Sequence, residues 1–174
     1  LVPDFVPEYR QSAGGFRDSP EWGSAAIVLP WLIYQWYGDT TVINETWNTM
    51  TRYVNYLKMK SKDHILSYGL GDWFDIGAGN PGASQLTPIA VTATAIYYYD
   101  LVLLSEMADL LNKYEEARFY ASWAEDVKKS FNGKFFDRER FIYSTGSQTA
   151  MAMPYAVGLI DEEYKQKVLD NLVD

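Results

Sequence analysis

Two short segments of the sequence combine carboxylates with a tryptophan among turn-forming residues. They read FRDSPEWGSA at residues 16–25 and GDWFD at residues 71–75. Their acidic and tryptophan positions are Asp18, Glu21 and Trp22 in the first segment and Asp72, Trp73 and Asp75 in the second. Carboxylates accept paired hydrogen bonds from sugar hydroxyl groups, and they act as acid or base in glycoside cleavage. Tryptophan adds a flat, rigid apolar face. The combination suits a carbohydrate ligand.

A third segment, STGSQTAMAMP at residues 144–154, places three polar side chains just ahead of an apolar helix. They are Ser147, Gln148 and Thr149. We expect Gln148 to add hydrogen bonds to the same ligand. With the first two segments, this loop predicts a polar and aromatic rim at one end of the domain.

The aspartates of these segments also allow a purely structural role. An Asp ahead of a turn often forms an Asx-turn or caps a helix, and this alternative stays open for Asp18 and Asp75. Trp22 and Trp73 lie in turn-rich loops, where a core residue is less expected, so we expect both to contact a ligand. The other four tryptophans have helical spacing and are expected in the core: Trp31, Trp36, Trp47 and Trp123.

Six helices are expected to position these loops, in three pairs. In each pair an apolar helix comes first, and these helices are expected at residues 25–37, 89–112 and 147–159. An amphipathic helix follows in each pair, and these are expected at about residues 41–60, 114–136 and 160–174. The apolar helices are predicted to be buried on most faces. The apolar stripe of the second amphipathic helix is Phe119, Trp123, Val127 and Phe131.

Several residues are predicted to begin, bend or end these helices. The predicted N-caps are Ser24, then Asp39, Thr40 or Thr41, then Thr87 and Asp161. Pro30 predicts a kink in the first apolar helix, or an early end to its first turn. Gly38 is expected to end that helix.

The pairing of helices predicts an all-α fold. Apolar helices fit an inner layer and amphipathic helices an outer one, and six such pairs would close into an (α/α)6 toroid, of which residues 1–174 would form about half. Residues 1–22 are expected to be an irregular lead-in. The connections from outer to inner helices are the long ones, and all of them fall at one end of the barrel, where a pocket is expected. The cut flanks of a half-toroid predict self-association.

The composition narrows the class of partner. The chain has 174 residues, a formal net charge of -8, no cysteine and one histidine. The acidic balance argues against a nucleic-acid surface, and the absence of cysteine excludes disulfides and thiolate metal sites. No apolar run is long enough to span a bilayer, so no membrane insertion is expected. We expect no metal and no cofactor. The compartment stays open, with a secreted or periplasmic one favoured.

The segments SPEWGSAAIVLPW, YGDTTVI, GLGDWFD, TPIAVTATAIYYYD and TGSQTAMAMP resemble the catalytic domain of bacterial α-L-rhamnosidases, glycoside hydrolase family 78. The resemblance runs through essentially the whole chain. It implies an (α/α)6 barrel and an inverting hydrolase that removes terminal α-L-rhamnose. It also implies that Trp22 and Trp73 wall the rhamnose subsite, with Asp72 and Glu21 as further candidates for hydroxyl contacts.

The same resemblance implies that the catalytic pair lies outside this chain. The family's general acid precedes the region that starts at LVPDFVPEYR, and its general base follows in a later loop. We therefore expect no catalytic residue here and an inactive fragment of an active parent. Two alternatives remain at this stage: another toroidal glycosidase of the trehalase or glucoamylase type, and a noncatalytic helical-repeat scaffold. The scaffold predicts shorter repeats and uniformly short loops.

Overall fold

The fold of the chain is an array of helix pairs, seen in a computed structural model that describes residues 2–5, 7–8, 16–80 and 82–173. The helices α1 to α7 are, in order, Pro20–Gly23, Ala25–Tyr37, Thr41–Lys60, Ile89–Leu110, Tyr114–Phe135, Gln148–Val157 and Lys165–Val173. Strands β1 (Phe136–Asp137) and β2 (Ile142–Tyr143) form an antiparallel hairpin between α5 and α6. The predicted order of apolar and amphipathic helices is confirmed.

The turn between α2 and α3 shows how local chemistry sets the helix ends. Gly38 adopts the left-handed conformation, with φ of 68°, and its N–H donates to the Tyr34 carbonyl. The Asp39 carboxylate then accepts the N–H of Thr41 at 2.8 Å. A connection this short makes α2 and α3 antiparallel neighbours. Pro30 lies inside α2, and the helix continues through it to Tyr37.

Helix α4 lies at the centre of the array and contacts α2, α3, α5 and α6. Thirteen of its 22 residues are buried, as expected for a helix that is apolar on most faces. It begins at Ile89, directly after Pro88, so the predicted start is correct to within one residue. Helices α2, α4 and α6 form the inner layer of three pairs, and α3, α5 and α7 follow them as their partners.

The outer helices pack on this layer through aromatic side chains. Trp123 of α5 meets Tyr97 of α4 edge to face, with ring centroids 5.9 Å apart, and the Lys58 ammonium of α3 lies 4.4 Å from the Trp123 ring centroid. Phe119, placed in the stripe by its spacing, is 53% exposed, so that prediction is wrong. Phe119 packs edge to face against Tyr120 and Trp123, with ring centroids 5.3 and 5.8 Å apart, while most of its own side chain faces solvent.

The expectation that α2 is buried on most faces is wrong. Only Ile27 and Pro30 are buried along it, and Trp36, predicted to be core, is 80% exposed. The reason is geometric, since the main packing partners of α2 among the described elements are α1, α3 and α4, and they leave these residues in solvent. Leu29, Leu32 and Tyr37 are exposed with Trp36. An exposed inner helix is what one end of an incomplete ring would present.

Three predicted caps are also wrong in their contacts. Thr87 does not cap α4, because its hydroxyl lies 2.6 Å from that of Ser147 and the helix begins after Pro88 with no side-chain cap. The Ser24 hydroxyl makes no bond to the first turn of α2, because it donates to the buried Asp100 carboxylate at 2.6 Å. Asp161 precedes a 3₁₀ turn at Glu162–Tyr164, and its carboxylate pairs with Lys128 at 3.3 Å instead of capping. The predicted irregular lead-in, 1–22, falls partly outside the described residues and ends in the single turn α1.

Candidate functional site

The first and second loops meet through their tryptophans. Trp22 in α1 and Trp73 in the loop before α4 lie edge to face, with ring centroids 6.2 Å apart and planes at 84°. Phe5 and Phe16 pack against Trp22 and Trp73 at 5.6 and 5.3 Å. Trp22 remains 37% exposed. The two indole rings form a corner with two apolar walls.

Glu21 fixes the second loop against α1 and α4. Its carboxylate accepts the N–H groups of Leu70 and Gly71 at 3.2 and 2.9 Å, and the Thr92 hydroxyl of α4 at 3.0 Å. The approach is so close that a Cβ added at Gly69, whose φ is 132°, would lie 2.5 Å from the Glu21 carboxylate. Glu21 therefore holds the backbone that leads to Trp73, next to its own neighbour Trp22.

Asp72 ties the second loop to the third. Its Oδ2 accepts the Thr149 hydroxyl of α6 at 2.5 Å and lies 3.5 Å from the Thr87 hydroxyl. Thr87 is in turn 2.6 Å from the Ser147 hydroxyl, which accepts the Ala150 N–H and so caps α6. The three loops that precede the inner helices thus meet at one end of the array.

A cleft of about 430 Å³ opens where the second and third loops meet. This volume falls within the range of about 300–1,000 Å³ that is common for small-molecule sites. Its lining combines polar and apolar side chains. The polar group, here called the polar wall, comprises Asp72, Asp75, Ser147, Gln148 and Thr149, and the apolar group, here called the apolar wall, comprises Phe74, Ile76 and Leu86.

Asp75 organises the backbone of the second loop. Its carboxylate accepts the N–H groups of Leu86 at 2.6 Å and of Gln85 at 2.9 and 3.0 Å. These bonds, that from Leu86 first, hold the pKa of the Asp75 carboxyl below its usual value. The Gln85 side chain continues the tie, since its amide bonds the backbone of Gly79 and Asn80. The glycine-rich loop is therefore held together by hydrogen bonds from its own side chains to its own backbone.

Asp18 precedes α1 by two residues and accepts the Tyr56 hydroxyl of α3. Burial, followed by this contact with Asp18, raises the pKa of Tyr56 to about 12. Asp18 is not among the residues that line the cleft. The sequence candidates thus separate: Asp72 and Gln148 line the cleft, Trp22 and Trp73 form the corner, and Glu21 and Asp18 are bonded to other parts of the protein.

Comparison with known proteins agrees with this geometry. Residues 1–174 match the model of the bacterial α-L-rhamnosidase six-hairpin glycosidase domain. The chain belongs to this family. The array of three helix pairs is accordingly part of an (α/α)6 toroid, as the sequence predicted.

Relatives of the six-hairpin family match nearly the whole chain. An α-L-rhamnosidase of Formosa agariphila is 27% identical over 100% of this chain and 18% of its own length, and a second from the same organism is 31% identical over 87% and 16%. The solved α-L-rhamnosidase of Dictyoglumus thermophilum has a TM-score of 0.82 and 30% identity, over 94% of this chain and 20% of that one. The chain thus spans about a fifth of the length of these relatives.

The described part of this family member holds no group of three or more acidic or histidine side chains placed to bind a metal ion. Within the same residues, no helix combines the length and apolar character needed to cross a bilayer.

Sequence reasoning missed the apolar wall of the cleft. Phe74 and Ile76 are 68% and 93% exposed, and Leu86 is exposed beside them. A signal was present, since large apolar residues are unusual in a loop this rich in glycine. Their convergence, however, depends on the hydrogen bond that the Leu86 N–H donates to the Asp75 carboxylate within the loop. The contact of buried Asp100 with Ser24 was also not predicted, because a charged residue within an apolar helix does not indicate which residue it bonds to.

Proposed function

We propose that the parent protein is an α-L-rhamnosidase and that this chain supplies one wall of its sugar-binding site. The observation that carries the proposal is the contact of Trp22 with Trp73 beside a cleft lined by Asp72 and Gln148. Two different loops converge on this place, in a family whose relatives bear the name α-L-rhamnosidase. These relatives favour rhamnosidase over the other toroidal glycosidases and over a repeat scaffold.

The chemistry of the proposed ligand matches the corner. L-Rhamnose is a 6-deoxy sugar, so one end of the ring carries a methyl group and the rest carries hydroxyl groups. The indole faces of Trp22 and Trp73 would take the apolar end. Asp72 and Gln148, which belong to the polar wall of the cleft, would form hydrogen bonds with the hydroxyl groups of the sugar. Glu21 acts in this proposal as a positioning residue, because its carboxylate already accepts three hydrogen bonds from the protein.

We further propose that the chain alone does not hydrolyse rhamnosides. An inverting enzyme needs a carboxylic acid and a carboxylate about 6.5–9.5 Å apart on opposite sides of the bond. Glu21, Asp75 and Asp18 each accept protein hydrogen bonds, and Asp72 accepts one from Thr149. In keeping with the family resemblance, we propose that the acid lies upstream and the base downstream of these residues.

The test compares the parent protein with the isolated chain on p-nitrophenyl α-L-rhamnopyranoside. We expect the parent to release p-nitrophenol and the chain to release none above the buffer rate. A parent that cleaves p-nitrophenyl glucosides but no rhamnoside would move the site to another sugar. Activity of the isolated chain would place the acid and base among the carboxylates described here.

Self-association is a separate proposal. Four large apolar side chains of the inner helix α2 are exposed: Leu29, Leu32, Trp36 and Tyr37. In the parent, these side chains would pack against further helices of the toroid. In the isolated chain they would drive association, because large exposed apolar patches favour contact between molecules.

A further inference from the structure

Asp100 is a buried carboxyl group that the proposed sugar site does not use. It is fully buried on α4, and its Oδ2 accepts the Ser24 hydroxyl at 2.6 Å. In the part of the chain that the structure describes, no basic side chain pairs with it and its Oδ1 has no hydrogen-bond partner. Burying a carboxyl group costs free energy, whereas an apolar side chain would suit this helix. What the carboxyl group supplies is therefore its bond to Ser24.

Ser24 stands where the single turn α1 meets α2. Its N–H donates to the Pro20 carbonyl at 3.1 Å, while its hydroxyl caps neither α1 nor α2. One helical turn is not stable by itself, so contacts with other elements set the orientation of α1. Tyr53 of α3 restrains α1 at Gly23, where its hydroxyl leaves no room for a Cβ. Asp100 of α4 restrains α1 at Ser24.

Two bonds to α4 bracket Trp22 in the sequence. The Thr92 hydroxyl donates to the carboxylate of Glu21, which precedes Trp22, at 3.0 Å. Ser24, two residues after Trp22, donates to Asp100. Thr92 and Asp100 are eight residues apart on α4, which corresponds to about 12 Å along the helix axis. Two separate points of attachment fix the orientation of a short turn better than one does.

We propose that Asp100 is a positioning residue for the sugar site, and that through Ser24 it holds α1 in the orientation at which Trp22 meets Trp73. The inference rests on the proposed function, because it takes these two rings to wall the sugar. Their planes lie at 84°, with ring centroids 6.2 Å apart, and Trp22 is itself part of α1. Asp100 does not line the cleft, so its effect on the sugar passes through α1.

The test measures KM of the parent for p-nitrophenyl α-L-rhamnopyranoside. Ser24→Ala and Asp100→Leu each remove the bond, and we expect each to raise KM about tenfold, the size expected when a ligand group loses an apolar contact. The double variant should raise KM no further, because both changes remove the same bond. Asp100→Asn should keep the KM of the parent, since its amide oxygen still accepts the Ser24 hydroxyl.

The choice of KM separates positioning from stability. A variant that merely unfolds in part has less active enzyme, which lowers the apparent kcat and leaves KM unchanged. Met107→Ala is the matched control, because Met107 is fully buried on α4 about two turns beyond Asp100. It should lower the free energy of unfolding and leave KM at the value of the parent.

The outcomes separate this inference from the proposed function. If the parent does not cleave the rhamnoside, the proposed function fails and the inference is overturned with it. If the parent cleaves it and Ser24→Ala and Asp100→Leu keep its KM, the function stands and the inference is overturned, because the bond then serves stability alone. Effects on KM that add up in the double variant would also overturn it. A raised KM in both single variants, not raised further in the double variant and absent from Asp100→Asn and Met107→Ala, supports it.

Discussion

Replacing Asp100 with asparagine should change how the stability of this chain depends on pH. Asp100 is fully buried on α4, and the Ser24 hydroxyl is the hydrogen-bond donor to one of its oxygens at 2.6 Å. The other oxygen has no partner among the described residues. Burial raises the pKa of the Asp100 carboxyl well above its usual value, more strongly than the Ser24 bond lowers it. The folded state therefore keeps a proton that the unfolded chain releases.

The size of the effect follows from this one proton. Because the folded pKa is raised, the stabilisation is complete below the unfolded value of 3.8 and is lost as the pH rises toward the folded value. In that window the free energy of unfolding falls by up to about 1.4 kcal/mol per pH unit. Asparagine keeps an oxygen for the Ser24 hydroxyl and cannot ionise. The Asp100→Asn variant should therefore lack this decline.

The assay is urea denaturation of the chain, followed by tryptophan fluorescence, at several pH values between 4 and 7. The slope of the free energy of unfolding against pH is decisive. A constant offset between the two proteins reports only on the packing of the new amide. Asp109→Asn is the control, an exposed aspartate on the same helix, and it should run parallel to the unaltered chain. If the Asp100→Asn curve is also parallel, the carboxyl is not held protonated and the reasoning is refuted.

Three further predictions concern the loops and the exposed flank. Glu21→Gln should lower the free energy of unfolding by about 2–4 kcal/mol, because hydrogen bonds to a charged acceptor are worth about 1.5–3 kcal/mol each and an amide nitrogen would face a backbone N–H. Urea denaturation measures this change. A loss below about 0.5 kcal/mol, the range of surface substitutions, would contradict the prediction. Asp75→Ala should raise amide hydrogen exchange in residues 76–86, since it removes the acceptor of the Gln85 and Leu86 N–H groups; unchanged exchange would show that the loop is held by other contacts. Light scattering should give the isolated chain a mass larger than that of a monomer, and Trp36→Ser should shift this mass toward the monomer value. A monomer mass at all concentrations would exclude association through α2.

Much of the fold could be predicted because the helix signals are local. Gly38, Asp39 and Pro88 stand at or next to real helix ends, and the 3.6-residue period places Trp123, Val127 and Phe131 correctly on the buried face of α5. The errors have a common cause. Trp36 has core spacing, but whether it is covered depends on what packs against α2. A periodic pattern gives the apolar face of a helix and does not give its neighbours.

The candidate site was predicted in its location and less well in its roles. The loop composition placed tryptophans and carboxylates at one end of the array, and Trp22 indeed contacts Trp73. The sequence could not distinguish Asp72, which lines the cleft, from Glu21, whose oxygens are occupied by the backbone of residues 70 and 71. That distinction rests on contacts between residues about 50 positions apart.

The most direct test of the central claim is the kcat/KM of the parent for p-nitrophenyl α-L-rhamnopyranoside after Trp22→Ala and Trp73→Ala. Phe119→Ala, an exposed aromatic residue on the outer helix α5, is the matched control. If the two indole rings wall the sugar, each loss of an apolar contact should lower kcat/KM by about 10–200-fold, while the control stays within about twofold. If both tryptophan variants retain the activity of the parent, the corner at Trp22 and Trp73 is not the sugar site.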